Sequence, residues 1–295
     1  MTQLTTIDTN NYAAMAKAMG IANEGTSSSS SSLARMRISH SPIMGTAEVK
    51  GKNVNVEVVE GGTYKLDIPD GPTYFSPNVK FRPFMQRFMY KRFVKGTDSS
   101  PNKYIKTLMS DNLNLDLKDT EGGFNCGKPA GYIKDFKALP EKTQELIRQI
   151  KRVRVVFGTV EMLQAVNEQG EEAEVGITPF ICEIDNRDAF KLMGEPFSKL
   201  GKMQRLPVQH NISLATEERK IPTGAVFYLP IPTLDAKNEI KLQEADQDLF
   251  ADFMAWVQNY NDYICSEWNK TTRNKMSDED VEVVEDFIEI EGSGD

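Results

Sequence analysis

Residues 153–163, VRVVFGTVEML, read as a β-strand interrupted by Gly158. Its β-branched and aromatic residues suit a pleated surface. Working outward, the same signal returns after a turn at Gly170, in residues 177–184, and again in 206–216 and 225–234. Upstream, residues 35–39 and 53–59 (NVNVEVV) read as strands, the second with clear alternation. Gly61-Gly62 marks a turn and residues 64–68 alternate again, which predicts a hairpin with 53–59. Asp70-Gly71-Pro72 breaks that pattern, and residues 107–131 are loop-like. Helices are expected at 140–150, 188–200 and 243–268. In the last of these Leu249, Phe253, Trp256, Tyr260 and Ile264 fall three or four apart. The expected fold is a β-rich α+β body, an OB-like barrel or curled antiparallel sheet with helical insertions and a long C-terminal helix. The absence of regular βαβ alternation argues against a doubly wound sheet.

The body, residues 33–272, is flanked by two segments of different composition. Residues 1–32 read as a flexible arm, with a short helical pattern at Tyr12, Met15, Ala16 and Met19 and then a serine run, Ser27 to Ser32. Residues 273–295 form an acidic tail. Its last twenty residues carry nine carboxylates and no Lys or Arg. The whole chain has 35 basic and 43 acidic residues, net −8; without those nine acids the balance is 35 against 34. The chain is thus a near-neutral body with one block of negative charge, a pattern typical of interaction tails. Hydrophobic residues make up 39% and charged residues 26%, which fits a soluble globular protein. No apolar run is long enough to span a bilayer, and no secretory signal pattern opens the chain. The cysteines, Cys126, Cys182 and Cys265, are odd in number and widely spaced. They predict no disulfide framework and a reducing, cytoplasmic setting.

Residues 74–106 join eight cations, Lys80, Arg82, Arg87, Lys91, Arg92, Lys95, Lys103 and Lys106, to a set of rings, with only Asp98 opposing them. Cations neutralise phosphates and flat rings stack on unpaired bases, and binding of single strands without sequence preference needs both. Phe81, Phe84, Met85, Phe88 and Met89 recur at helical spacing, which predicts the buried face of an amphipathic helix with the cations on its solvated side. The two readings are compatible, since the stripe can pack while Arg87, Lys91, Arg92 and Lys95 face a groove. Tyr74, Phe75, Tyr90 and Tyr104 are the candidate stacking rings. A second basic cluster, Arg148, Lys151, Arg152 and Arg154, joins the end of a helix to a strand. Its plainer role is to complement the helix dipole. Near the first cluster, it would complete one electropositive groove.

Other signals carry less. Residues 122–128, GGFNCGK, match G-x-x-x-x-G-K, but Pro129 stands where a phosphate-binding loop needs Ser or Thr, so a glycine-rich loop is expected. Cys126 in that loop has no neighbour in sequence that would lower its pKa. His40 and His210 lie in no HExxH or GxSxG context. No CxxC pair is present, and no metal or cofactor is implied.

The tail is not a plain solubility device. Val281, Val283, Val284, Phe287, Ile288 and Ile290 stand among its acids. Asp278, Glu279, Asp280, Glu285 and Asp286 with Phe287 and Ile288 suit docking into a basic groove with an apolar pocket, on a partner or on the body itself. The plainer alternative is a terminal helix or strand packed on the body.

A β-rich core, a basic and aromatic stretch and an acidic C-terminus together resemble the bacteriophage single-stranded DNA-binding proteins. Residues 153–156, 178–180, 209–210 and 227–229 also look like core strands of such proteins. The resemblance implies an OB-type fold that holds a single strand, and an acidic tail that contacts replication partners and limits binding to duplex DNA. It implies the host cell cytoplasm as the setting. Metal-binding cysteines found in many such proteins are not carried over, because Cys126 stands alone.

The leading expectation is therefore a non-enzymatic protein that coats single-stranded DNA in replication or recombination. Lys80, Arg82, Arg87, Lys91, Arg92, Lys95, Lys103, Lys106, Lys151, Arg152 and Arg154 would hold phosphates. Tyr74, Phe75, Tyr90 and Tyr104 would stack bases. The tail would recruit a polymerase, helicase or primase, and self-association is open. A virion or assembly protein is the second expectation, and a metal-dependent nucleic-acid enzyme the third.

Overall fold

The computed structural model describes residues 33–49, 52–97 and 101–273. The chain divides into two units, Met1–Ser32 and Leu33–Asp295. The expected arm, and the acidic tail from residue 274 onward, lie outside the described residues.

The strands in chain order are β1 (Ala34–Ile38), β2 (Ile43–Val49), β3 (Lys52–Val59), β4 (Tyr64–Asp67), β5 (Thr73–Ser76), β6 (Asn78–Val94), β7 (Lys103–Lys106), β8 (Ile150–Leu163), β9 (Thr178–Ile184), β10 (Ile212–Lys220) and β11 (Val226–Leu234). The helices are α1 (Glu141–Gln149), α2 (Arg187–Leu192), α3 (Glu195–Lys202) and α4 (Glu244–Arg273). The body is thus a β-rich α+β fold with a long C-terminal helix. A nine-stranded mixed sheet runs in the order β11-β10-β6-β8-β9-β1-β4-β5, with β7 also paired to β6. Among the described strands only β1 and β9 pair in parallel.

This sheet curls. β5 and β6 are separated by Pro77 alone, so the path ends on the stretch of chain it had already crossed. Phe75 and Val166 exchange backbone hydrogen bonds of 2.8 Å in both directions, joining β5 to the residues just after β8. That join is one residue pair and not a ladder, so the sheet does not close into a barrel. The predicted hairpin of 53–59 with 64–68 does not form. β3 pairs with β2 in a separate two-stranded ribbon, and β4 lies between β1 and β5.

The helix predicted from Phe81, Phe84, Met85, Phe88 and Met89 is instead β6, a strand of 17 residues. A bulge between Pro83 and Met85 explains the misleading spacing. Before the bulge, Val79 and Phe81 point into the concave side of the sheet. After it the phase reverses, and Met85 and Met89 point to the convex side. Two period-2 runs joined by a phase shift imitate one period of 3.6. Gly158 of β8 stands opposite Pro83, and a Cβ there would lie 2.3 Å from the Arg82 carbonyl oxygen. The interrupting glycine is therefore what lets the bulged strand approach.

Each side of the sheet has its own core. The concave side gathers Met36, Leu66, Val79, Phe81, Val156, Phe180 and Leu214, and α2 and α3 add Ala189, Met193 and Phe197. On the convex side α4 lays Phe253 and Val257 over Met85, Met89, Val155 and Phe157. Covered on both sides, β8 is buried without a break from Val153 to Gly158, which is why it reads as a nearly continuous apolar run. α4 is pinned at its start by Arg82, whose two terminal nitrogens donate to the Asp246 carboxylate at 2.7 and 2.8 Å. The single helix predicted at 188–200 is broken into α2 and α3 around Gly194. A Cβ at Gly194 would lie 2.5 Å from an Arg154 nitrogen, so the break makes room for that guanidinium. Residues 207–209 form a short 3-10 turn, and β10 begins only at Ile212.

Candidate nucleic-acid interface

Strand register sorts the predicted cations onto opposite sides of the sheet. Past the bulge, residues directly opposite each other share a side. Lys91 faces Lys106 on β7 and Lys151 on β8, and Val155 faces Glu183 on β9. These all lie on the convex side. The next residues along, Tyr90, Arg92, Arg152 and Arg154, lie on the concave side.

The convex lysines are paired, three of them sharing two carboxylates. Lys91 lies 3.6 Å from Glu183 and 3.4 Å from Asp185, Lys151 lies 3.1 Å from Asp185, and Lys106 lies 3.9 Å from Glu183. Burial by itself would raise the Asp185 pKa, but the Lys151 hydrogen bond and the charges of Lys91 and Lys151 outweigh it and hold the carboxyl below its ordinary value. The first half of β6 is paired as well. Lys80 meets Glu161 at 3.3 Å, and Arg82 is held by Asp246 and by the Val208 carbonyl. Lys103 meets Glu121 at 2.7 Å. Arg87 donates to the Gln86 carbonyl and to the Met254 sulfur. Lys95 is exposed at the end of the strand.

No ion pair joins Lys128, Arg148, Arg152 or Arg154 to a carboxylate among the described residues. Rings take that place. Arg154 lies 5.0 Å from the Phe88 ring centre and 4.6 Å from that of Phe190. It is buried, hydrogen-bonded to Gln86, and lowered by burial to a pKa of about 10, so it stays charged at neutral pH. Arg152 lies 5.5 Å from the same Phe190 ring and is exposed. Arg148, also exposed, lies 5.6 Å from Phe136. Lys128 lies 5.5 Å from the Tyr90 ring and donates to the Gly131 carbonyl at 3.0 Å. Burial, and then repulsion from Arg152, lower its pKa. Arg92 is half-buried, and its Nε is buried with no hydrogen-bond partner.

The predicted stacking rings fare unevenly. Phe75 is 1% exposed and sits under Lys65, so it is core and presents no face to a base. Tyr90 is 3% exposed, and its hydroxyl donates to the Leu113 carbonyl. Tyr74 is half-buried against the concave core. Tyr104 is exposed and lies 5.2 Å from the exposed Phe93, with Lys91 over its ring. Sequence reading missed Tyr132, which is 87% exposed and follows the Gly131 that receives Lys128. It also missed Lys128, Phe136 and Phe190 as parts of this surface.

The glycine-rich loop binds its own carboxylate. Asp119 accepts backbone N–H bonds from Glu121, Gly123 and Cys126 at 2.9–3.0 Å. Amides that could have cradled a phosphate are thereby occupied. Burial, and then the nearby Asp119 carboxylate, push the Cys126 thiol up to about 12, so it is inert. Among the described residues no group of three or more His, Cys, Asp or Glu side chains is placed to hold a metal ion. No helix among them is long and apolar enough to cross a membrane. Comparison of the chain with protein-family models, with curated proteins and with solved structures finds no match.

Proposed function

We propose that the protein binds single-stranded DNA without catalysing a reaction on it, as a coating protein of replication or recombination. The curled sheet would serve as its OB-like platform. One observation carries the reading. Lys128 and Arg152 on the concave side lie over rings with no carboxylate partner among the described residues, while Lys91, Lys106 and Lys151 on the convex side are paired with Glu183 and Asp185. Unpaired cations bind phosphates by releasing counterions, and exposed Tyr132 offers a face for an unpaired base. A duplex keeps its bases stacked inside and gains only the phosphate part.

The acidic tail fits the same surface. α4 ends against the loop that leads to Lys128: Trp268 donates to the Gly123 carbonyl at 3.0 Å and Thr271 to that of Thr120 at 3.4 Å. The segment that follows is proposed to compete with nucleic acid for those cations and to recruit a polymerase, helicase or primase when displaced. Fluorescence anisotropy with labelled oligo-dT and a matching duplex tests both parts, using the full chain and a version ending at Lys275. Salt-sensitive preference for the single strand, with the truncation binding duplex more tightly, is expected. No binding by either form at low salt would overturn the reading.

The assembly-protein reading has one observation in its favour. Among the described residues the β2–β3 ribbon pairs with no other strand, and Met44 and Val54 are 55% and 44% exposed on it. Ordered oligomers with no affinity for oligo-dT would move the conclusion there.

A further inference from the structure

A cleft of about 560 Å³ opens between the concave side of the sheet, α2 and β11. This is within the range of small-molecule sites. Its floor is apolar and buried, formed by Met36, Cys182, Ala189, Met193 and Leu214. Tyr64 also lines it, but its hydroxyl is already engaged with the Ala215 carbonyl at 3.0 Å. Arg37, Lys65, Glu183 and Asp185 also line the cleft, so polar groups surround this apolar floor.

The rim carries a fixed pair of rings. His40 and Tyr228 lie parallel, 6° apart in plane, with centroids separated by 6.5 Å. The Tyr228 backbone N–H donates to His40 Nδ1 at 3.2 Å, which leaves the proton of the neutral imidazole on Nε2. Tyr228 is seated against the Gly61-Gly62 turn. Gly62 has φ +87°, and a Cβ there would stand 2.5 Å from the Tyr228 ring. Glycine serves both the backbone and the ring, so the wall is held in place before any ligand arrives.

A preformed apolar slot with a ring wall and a polar lip fits a flat heterocycle with apolar faces and a polar edge. We propose that this cleft receives a single unstacked nucleobase. The choice of a nucleobase over other flat rings rests on the strand-binding reading. It is supported by placement: Ala189 of α2 lies in the cleft floor, while its neighbour Phe190 lies under Arg152 and Arg154. The slot and the cationic surface thus meet at neighbouring faces of one helix.

Adenosine is the probe, because it has the base without a phosphate for the cationic surface. Calorimetry and saturation-transfer NMR on the full chain should give saturable binding. Tyr228→Ala should weaken it about tenfold, and Ala189→Leu, which fills the floor, should abolish it. Circular dichroism checks that both variants fold, and Tyr228→Ala decides the matter if Ala189→Leu does not. Absence of saturable binding, wild-type affinity in Tyr228→Ala, or displacement of adenosine by ribose would each overturn the assignment. Oligo-dT binding is read separately. If the oligonucleotide binds and adenosine does not, the cleft assignment alone falls. If adenosine binds and the oligonucleotide does not, the coating function falls and the cleft stands as a nucleoside site.

Discussion

The Arg154 guanidinium lies 4.6 Å from the centre of the Phe190 ring, and Arg152, two residues earlier on the same strand, lies 5.5 Å from it. One ring of α2 thus carries two guanidiniums with different jobs. Arg154 is buried and locks α2 and α3 to the sheet. Arg152 is exposed and available to a ligand. Arg154→Ala is expected to lower stability by about 2–3 kcal/mol through lost packing and a desolvated cation–π contact, read by urea denaturation. Arg152→Ala should leave the unfolding free energy within ~0.5 kcal/mol of wild type.

The same pair predicts a difference in binding. Arg152→Ala should weaken oligo-dT binding about tenfold and lower the salt slope by ~0.7, the value for one phosphate contact on a single strand. Lys151→Ala, one residue away on the other side of the sheet, should change affinity less than ~2-fold, because it is already paired with Asp185. Anisotropy titrations at several salt concentrations measure both.

Gly158 is expected to tolerate no side chain. With a Cβ placed 2.3 Å from a backbone carbonyl oxygen, Gly158→Ala must move the β6 bulge, at a cost of about 2–3 kcal/mol. Thermal denaturation gives the figure, and a neutral substitution would mean that the strands approach less closely than described.

Acid should weaken the fold through carboxyls held below their ordinary pKa of 3.8. Asp246 is lowered chiefly by its Arg82 hydrogen bonds, and Asp185 is lowered by Lys151 and Lys91 against the opposing effect of burial. A depressed carboxyl contributes stability that is complete above the unfolded pKa and is lost as pH falls through the folded one. Stability should therefore decline below about pH 4, and Asp246→Asn should flatten that decline. An unchanged acid limb in Asp246→Asn would contradict the role given to the Arg82 pair.

What was readable in the sequence follows from how local each signal is. β8 and α4 declared themselves, since a doubly covered strand and a one-faced helix write their burial into consecutive residues. β6 did not, because its bulge at Pro83–Met85 reverses the alternation and leaves Phe81, Met85 and Met89 at helical spacing. That same phase decides which cations are paired. Arg152 and Lys151 look alike in a row of basic residues, yet one meets a ring and the other Asp185. Phe75 and Tyr90 could not be recognised as core because the contacts that bury them come from residues far along the chain. Lys128 and Tyr132 were hidden for the opposite reason: their loop carries no periodic pattern, and only its packing brings Lys128 over Tyr90.

The most direct test compares two double variants for oligo-dT binding across a range of salt: Lys128→Ala/Arg152→Ala on the concave side and Lys106→Ala/Lys151→Ala on the convex side. The concave pair should lose affinity by more than tenfold at low salt and lower the salt slope by ~1.4, while the convex pair stays close to wild type. Equal losses from both pairs, or a larger loss from the convex one, would contradict the assignment of the binding surface. Failure of the unaltered protein to bind the strand at low salt would contradict the function itself.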